Sequence, residues 1–330
     1  MTRARNTLGP RTRKSRQRGL TLVELLVAMT LSLLVIMATV GALVVARQGF
    51  TSVDAASQLR DNARFASDVI QRIAQQAGYR DVPYAATTRA SDFKYAGMAT
   101  ATEPAHVSGF NNALITNPTN GSRSGCSASS GTACANGSDI LIVRFQTSAK
   151  SDYTPGASDA DRSMISCAGT TDDMTALNSA DRLVNTFYVA ESQGEPALMC
   201  DYGAKTAQPL VQGVESFQVL YGVDDVSPNA AAGSKPDTVA DRYLRADQMV
   251  VASNPEATRA NWLRVRSIRI GLVVRGPVGS ALERKTMDYY PLGAGLWSTA
   301  DVGSKFVAPA DGRLRQALTF TVYLPNPQEM

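Results

Sequence analysis

One histidine, His106, stands in 330 residues, and the cysteines number four. With so little imidazole there is hardly room for a Ser-His-Asp or Cys-His nucleophile, which needs a base beside the attacking atom. No G-x-x-x-x-G-K-[ST] or G-x-G-x-x-G run stands where a strand would turn into a helix, so nucleotide chemistry has no visible cradle. None of the cysteine spacings is C-x-x-C and His106 is the only histidine, so no zinc-site pattern is visible. His106 lies in "TEPAHVSGF", a loop-like context that predicts a surface residue. The acid pairs Asp172–Asp173 and Asp224–Asp225 lack EF-hand spacing and read as solvated turns rather than calcium ligands. No cofactor or metal is expected.

Two further absences are local. No acid precedes Glu24, and no charge of either sign occurs from Leu25 to Ala46. Those 22 residues would rise about 33 Å as a helix, against a hydrocarbon core of about 30 Å. The first 19 residues carry Arg3, Arg5, Arg11, Arg13, Lys14, Arg16 and Arg18. A flank this basic stays cytoplasmic, which places the chain beyond Arg47 across the inner membrane, in the periplasm. The apolar run is longer than a cleaved secretory signal, and no A-x-A site closes it.

Glu24 is the residue that an ordinary signal anchor leaves unexplained. A carboxylate at membrane depth is costly, less so near the interface, and acids there have partners. A cut after Gly19 would supply one, since the new amine at Leu20 would stand close by. The residues "RGLTLVE" ahead of an apolar run resemble the class III leader of type IV pilins and type II secretion pseudopilins. That resemblance implies cleavage after Gly19 by a prepilin peptidase, N-methylation of Leu20, and an assembly role for Glu24. Leu20 departs mildly from the phenylalanine or methionine usual there. Removal of the leader takes away seven basic residues, leaving 26 against 29 acids and a formal charge of −3 in place of +4. The basic character therefore belongs to the leader and indicates no nucleic-acid footprint in the mature chain.

Beyond the apolar segment, Ala56, Leu59, Ala63, Ala66, Ile70, Ile73 and Ala77 recur at spacings of three and four, one stripe of an amphipathic helix. Gly78 is placed to cap it, and a bend at Gly41 or Gly49, or a break near 48–51, is open. Three parts are expected: a leader over 1–19, a long helix over 20–79 that is transmembrane to about 46, and a β-rich domain over 80–330. Residues 81–138 read as loops. Strands are expected at 139–147, 182–190, 214–223, 262–276 and 318–326, with insertions at 225–237 and 276–304. Strands without helices between them predict a mostly antiparallel sheet and an α+β fold.

The segments "DNARFASDVIQRIAQQAGYR", "PLVQGVESFQVLYGVD", "DRYLRADQM", "WLRVRSIRIGLVVR" and "RLRQALTFTVYLPN" resemble PilW-type minor pilins in order and spacing. The resemblance covers the leader, the helix and roughly 180–326. It implies a type IV pilin-like fold, with the long helix packed on the sheet domain. The function it implies is structural: joining other minor pilins and the major pilin in a complex that primes pilus assembly and stays at the tip, serving adhesion and twitching motility. A pilus tip adhesin is a candidate partner. The type II secretion pseudopilin GspJ has the same plan in a shorter chain and is the nearest alternative. An anchored periplasmic enzyme or binding module is the alternative of another class. Cys126, Cys134, Cys167 and Cys200 all lie beyond the membrane segment, and an even count in an exported domain suggests two disulfides. Three connectivities are open. Cys126–Cys134 with Cys167–Cys200 is preferred, because the first closes a short Ser/Gly-rich loop and the second ties a loop to the strand region after 190.

Overall fold

A computed structural model describes residues 19, 21–80, 104–117, 122–125, 135–147, 163–170, 182–202 and 207–326. Its contacts divide the chain into two units, meeting between Thr51 and Ser52. Helix α1 runs without interruption from Leu22 to Gln75. Gly41 and Gly49 are helical and no break occurs at 48–51. In the first unit every described residue is exposed, which suits an apolar helix whose solvent is lipid.

In the second unit α1 buries one face. Ala55, Leu59, Ala63, Ala66, Ile70, Ile73, Ala74 and Ala77 are all at or below 4% exposure. Ala55 rather than Ala56 begins this stripe; Ala56 is half-buried, and the other expected positions are buried. The alanines let the helix approach the sheets closely, and Leu59, Ile70 and Ile73 fill the gaps. Full burial of such an aliphatic side chain contributes about 1.5–3 kcal/mol. Arg60, Asp61, Arg64, Asp68 and Arg72 lie on the exposed side.

Two antiparallel sheets share the core with that face. The first has the order β1 (Val107–Phe110), β4 (Ile140–Phe145), β5 (Leu183–Ser192), β6 (Glu195–Tyr202) and β7 (Gln208–Gln212). The second has the order β13 (Arg315–Tyr323), β10 (Val265–Arg275), β8 (Val214–Val223) and β9 (Arg242–Leu244). Two hairpins stand apart: β2 (Ala113–Asn117) with β3 (Ser122–Gly125), and β11 (Met287–Tyr289) with β12 (Phe306–Ala308). Val143, Phe145, Phe187 and Leu198 of the first sheet, Phe217, Tyr221, Ile268 and Ile270 of the second, and Leu59 to Ile73 of α1 form one contiguous apolar cluster.

The residues explain several local structures directly. Gln193 and Gly194, both with positive φ, close the β5–β6 hairpin in two residues, the turn geometry that matches strand twist. Pro255 opens helix α2 (Pro255–Leu263), and Asn254 caps it by accepting from the Ala257 amide at 3.0 Å. Gly213 is the joint between the sheets. Its amide donates to the Pro196 carbonyl of β6, and its carbonyl accepts from the Arg275 amide of β10, both at 2.7 Å. A Cβ there would stand 2.6 Å from the Arg275 carbonyl oxygen, and φ is +85°, so glycine is required twice over.

Some sequence expectations need correction. The stretch 81–138, expected as loop, holds β1, β2 and β3, whose serines and glycines hide a weak strand pattern. The strand expected at 262–276 begins at Val265, because Trp262 and Leu263 end α2. It is a central strand, flanked by β8 and β13, and only its arginines rise above full burial. The last strand starts at Arg315, three residues early. The region 276–304 contains β11 and two short 3₁₀ turns rather than loop alone.

Candidate assembly site

Thr21 precedes the first helical residue, and Glu24 is the third residue of α1. The Thr21 amide donates to Glu24 Oε2 at 2.9 Å, and the Thr21 hydroxyl donates to the same oxygen at 3.0 Å. In return the Glu24 amide reaches Thr21 Oγ1 at 3.3 Å. This is a reciprocal capping box, in which two otherwise orphaned amides of the helix start are satisfied. The carboxylate also sits at the positive end of the helix dipole. Gly19 is exposed with open space around it, while Leu20 lies outside the described residues. T-x-x-E at 21–24 is the sequence signal for this cap.

The other end of α1 is fastened by side chains. The Gln76 amide group donates to the Ile165 carbonyl at 3.1 Å and accepts from the Ile165 amide at 3.0 Å. Asn326, near the other end of the chain, donates to the Gln75 and Ala77 carbonyls at 3.4 and 3.0 Å. Gly78 has φ +73°, as a helix cap requires, but its amide donates to Arg144 of β4 rather than back into the helix. The segment 163–170 is in turn held by a disulfide between Cys167 and Cys200 of β6. The Cys167 amide donates to Asn185 Oδ1 at 2.7 Å. A cavity of about 500 Å³ opens here, lined among others by Arg72, Gln76, Tyr79, Ile165 and Asn326. Cys126 and Cys134 lie outside the described residues.

A charge cluster closes the corner beside Gly213. Glu195 of β6 accepts from Arg275 and Arg313, and Glu215 of β8 accepts from Arg275 and Arg315. Arg315 also binds Asp311 at 2.6 Å. Bonding to Arg315 holds the Asp311 carboxyl at a pKa of about 2. Arg275, with Arg313, holds Glu195 below the usual carboxylate range. The two sheets are thus joined by charge as well as by the glycine.

Asp224 is not a solvated turn residue. It is buried, accepts from the Asp237 and Thr238 amides at 3.1 and 2.8 Å, and pairs with Arg266 at 3.0 Å. Asp225 receives the Lys235 amide, so the two acids organise the 225–241 loop from within. The pair Asp172–Asp173 lies outside the described residues. His106 is 2% exposed, contrary to the surface position its context suggested. It immediately precedes β1, which the core covers. Among the described residues no group of three or more His, Cys, Asp or Glu side chains is placed to hold a metal.

Residues 186–326 match the family model described as Type IV Pilus-assembly protein W, which spans β5 onward to the end of the described chain. Residues 14–40 match the Prokaryotic N-terminal methylation motif, which takes in Gly19, Leu20, Thr21 and Glu24. No curated protein gives a significant match. Among solved structures, a type IV-like pilin, TTHA1219 from Thermus thermophilus, aligns at a TM-score of 0.35 and 15% identity, over 82% of this chain and 98% of that one.

Proposed function

We infer that this chain, a type IV pilin-like protein with a PilW-type region and a prepilin methylation motif, works as a minor pilin. It is a structural subunit rather than an enzyme. In this reading residues 1–19 are removed after Gly19, Leu20 is methylated, and α1 holds the protein in the inner membrane with its β-rich domain in the periplasm. The subunit then leaves the bilayer to join other minor pilins and the major pilin in a complex that primes the pilus and remains at its tip. A tip adhesin is a client consistent with that position.

The observation that carries this reading is the methylation motif over 14–40, which runs into the start of a helix apolar enough to cross a membrane, with the PilW-type region beyond it. The physics is compatible. Moving an apolar helix from lipid into a helical bundle changes its surroundings little, because both are apolar. Selectivity then falls on the polar helix start, where Glu24 stands, and on the sheet domain.

The test is the intact mass and amino-terminal sequence of membrane-extracted protein from cells with and without prepilin peptidase. A mature chain starting at N-methylated Leu20 only when the peptidase is present supports the reading. A chain starting near Met1 in both strains overturns it.

A further inference from the structure

We propose that the Asn136-Gly137 pair is a latent deamidation site. The fold keeps it intact, and when the seam between the two sheets opens, Asn136 is converted irreversibly to aspartate or isoaspartate.

The pair sits in a strap along the edge of β8. β9 pairs with that edge at Tyr221, Gly222 and Val223. Ahead of it residues 136–139 take the place of a strand, largely with side chains. The Asn136 side-chain amide donates to the Glu215 carbonyl at 2.8 Å. The Phe217 amide donates to Ser138 Oγ at 3.1 Å, and the Asp139 amide donates to the Phe217 carbonyl at 2.8 Å. The Val219 amide donates to Asp139 Oδ2 at 2.8 Å, and the Gln218 side-chain amide donates to the Gly137 carbonyl at 2.8 Å. β4 begins at Ile140, directly after the strap, so these bonds tie the first sheet to the second.

The same geometry explains why a labile dipeptide stands here. Both residues have left-handed backbone angles, φ +53° at Asn136 and +69° at Gly137, which asparagine and glycine adopt most readily. At 137 a Cβ would also stand 3.0 Å from the Gly303 amide nitrogen. The fold therefore demands glycine, and glycine leaves its own amide nitrogen unhindered beside the asparagine side chain.

The reaction takes water as its co-reactant. The Gly137 nitrogen attacks Asn136 Cγ, a new N–C bond forms, and ammonia leaves with the proton that nitrogen gives up. Water then opens the five-membered imide at either carbonyl, giving aspartate or, where the chain now runs through the side chain, isoaspartate. Ring closure needs the Gly137 nitrogen on the Cβ side of the Asn136 Cα–C bond. Cβ lies about −120° from the residue's own nitrogen around that bond, so at ψ +37° the attacking nitrogen points nearly opposite to Cβ. With the side-chain amide also tied to Glu215, the closed strap blocks the attack although Asn136 is exposed to water. Lifting the strap releases both restraints together.

Neither product restores the strap. Ionised aspartate has no donor for the Glu215 carbonyl and sets a charge against it. Isoaspartate lengthens the main chain by one carbon, so Ser138 and Asp139 no longer meet Phe217 and Val219 in register. One chemical event thus turns a reversible opening into a lasting one.

The experiment holds the purified full chain in detergent at mildly alkaline pH, with and without urea. Asn136 is followed by peptide mass mapping and isoaspartate labelling, and Asn120-Gly121, the same dipeptide, reports the unfolded rate in the urea sample. Loss of the Asn136 amide is expected to be at least about ten-fold slower in the folded chain than in urea. Ser138→Ala drops one bond of the strap and leaves the pair itself unchanged. Below its own thermal midpoint and without urea, it should quicken the loss several-fold. Asn136→Asp sets one product in place and should lower the thermal midpoint and speed exchange of the Phe217 and Val219 amides. Equal loss in folded and unfolded chains, no loss in urea, a parental rate in folded Ser138→Ala, or a parental midpoint and amide protection in Asn136→Asp overturns the proposal.

Discussion

Thr21 and Glu24 satisfy each other: two hydrogen bonds run from Thr21 to the carboxylate and one returns to the Thr21 hydroxyl. The carboxylate is thereby held at the helix start within its own chain, before any neighbour is present. An acid that looked unexplained at the edge of an apolar run has a local partner two residues after the proposed cleavage point.

Thr21→Val should remove the hydroxyl arm of the box and loosen the first turn of α1 by about 1 kcal/mol, while Thr21→Ser keeps it. Hydrogen exchange of the Val23 and Glu24 amides in detergent reads this directly. Equal protection in all three proteins would sink the capping role.

Glu24→Ala should leave membrane insertion and the sheet domain intact, since the side chain touches neither core nor sheet. Incorporation into filaments is expected to drop several-fold, measured by immunoblot of sheared pili against membranes. Normal incorporation would remove Glu24 from assembly.

Acid should weaken the corner between the sheets. Asp311 titrates at about 2 in the folded chain, below the value of about 3.9 for a free aspartate. A depressed carboxylate adds stability that is present above the unfolded value and fades as pH falls from about 4 toward 2, with Glu195 adding in the same direction. The denaturation midpoint should fall across that window, and Asp311→Asn should flatten part of the fall. An unchanged profile in the variant would place the acid sensitivity elsewhere.

The Cys167–Cys200 bridge spans 33 residues, for which chain-entropy arguments give about 3–4 kcal/mol. Cys167→Ser with Cys200→Ser should lower the urea midpoint accordingly and expose the Gln76–Ile165 pair to rapid exchange. A midpoint equal to that of the parent chain would show the loop to be held by its hydrogen bonds alone.

Gly213→Ala should cost about 1–3 kcal/mol, because a Cβ meets the Arg275 carbonyl and φ is positive. Gly194→Ala, also at positive φ but with open space around it, should cost less. Thermal midpoints of the two variants settle the comparison, and the reverse order would contradict the joint described for Gly213.

Much is legible in the amino-acid sequence itself. A 22-residue gap in charge and a basic leader are one-dimensional signals, and so is the three-and-four spacing of Leu59, Ala63, Ala66, Ile70 and Ile73. Short-range physics alone converts them into a helix long and apolar enough to cross a membrane and a buried stripe. β8 was readable to the residue because a dense run of β-branched and aromatic side chains marks it. What the sequence could not determine depends on residues far apart along the chain. His106 and Asp224 look like loop residues until β1 and Arg266 cover them. The alternation of Arg266 and Arg269 with Val265 and Ile268 marks a strand but not its place in the sheet. That strand is central because β8 and β13 flank it, and Glu195 and Glu215 neutralise Arg275 at its end. The place of β13 at the edge of its sheet is likewise invisible to composition, since which strand ends a sheet is decided only by how all the others pair.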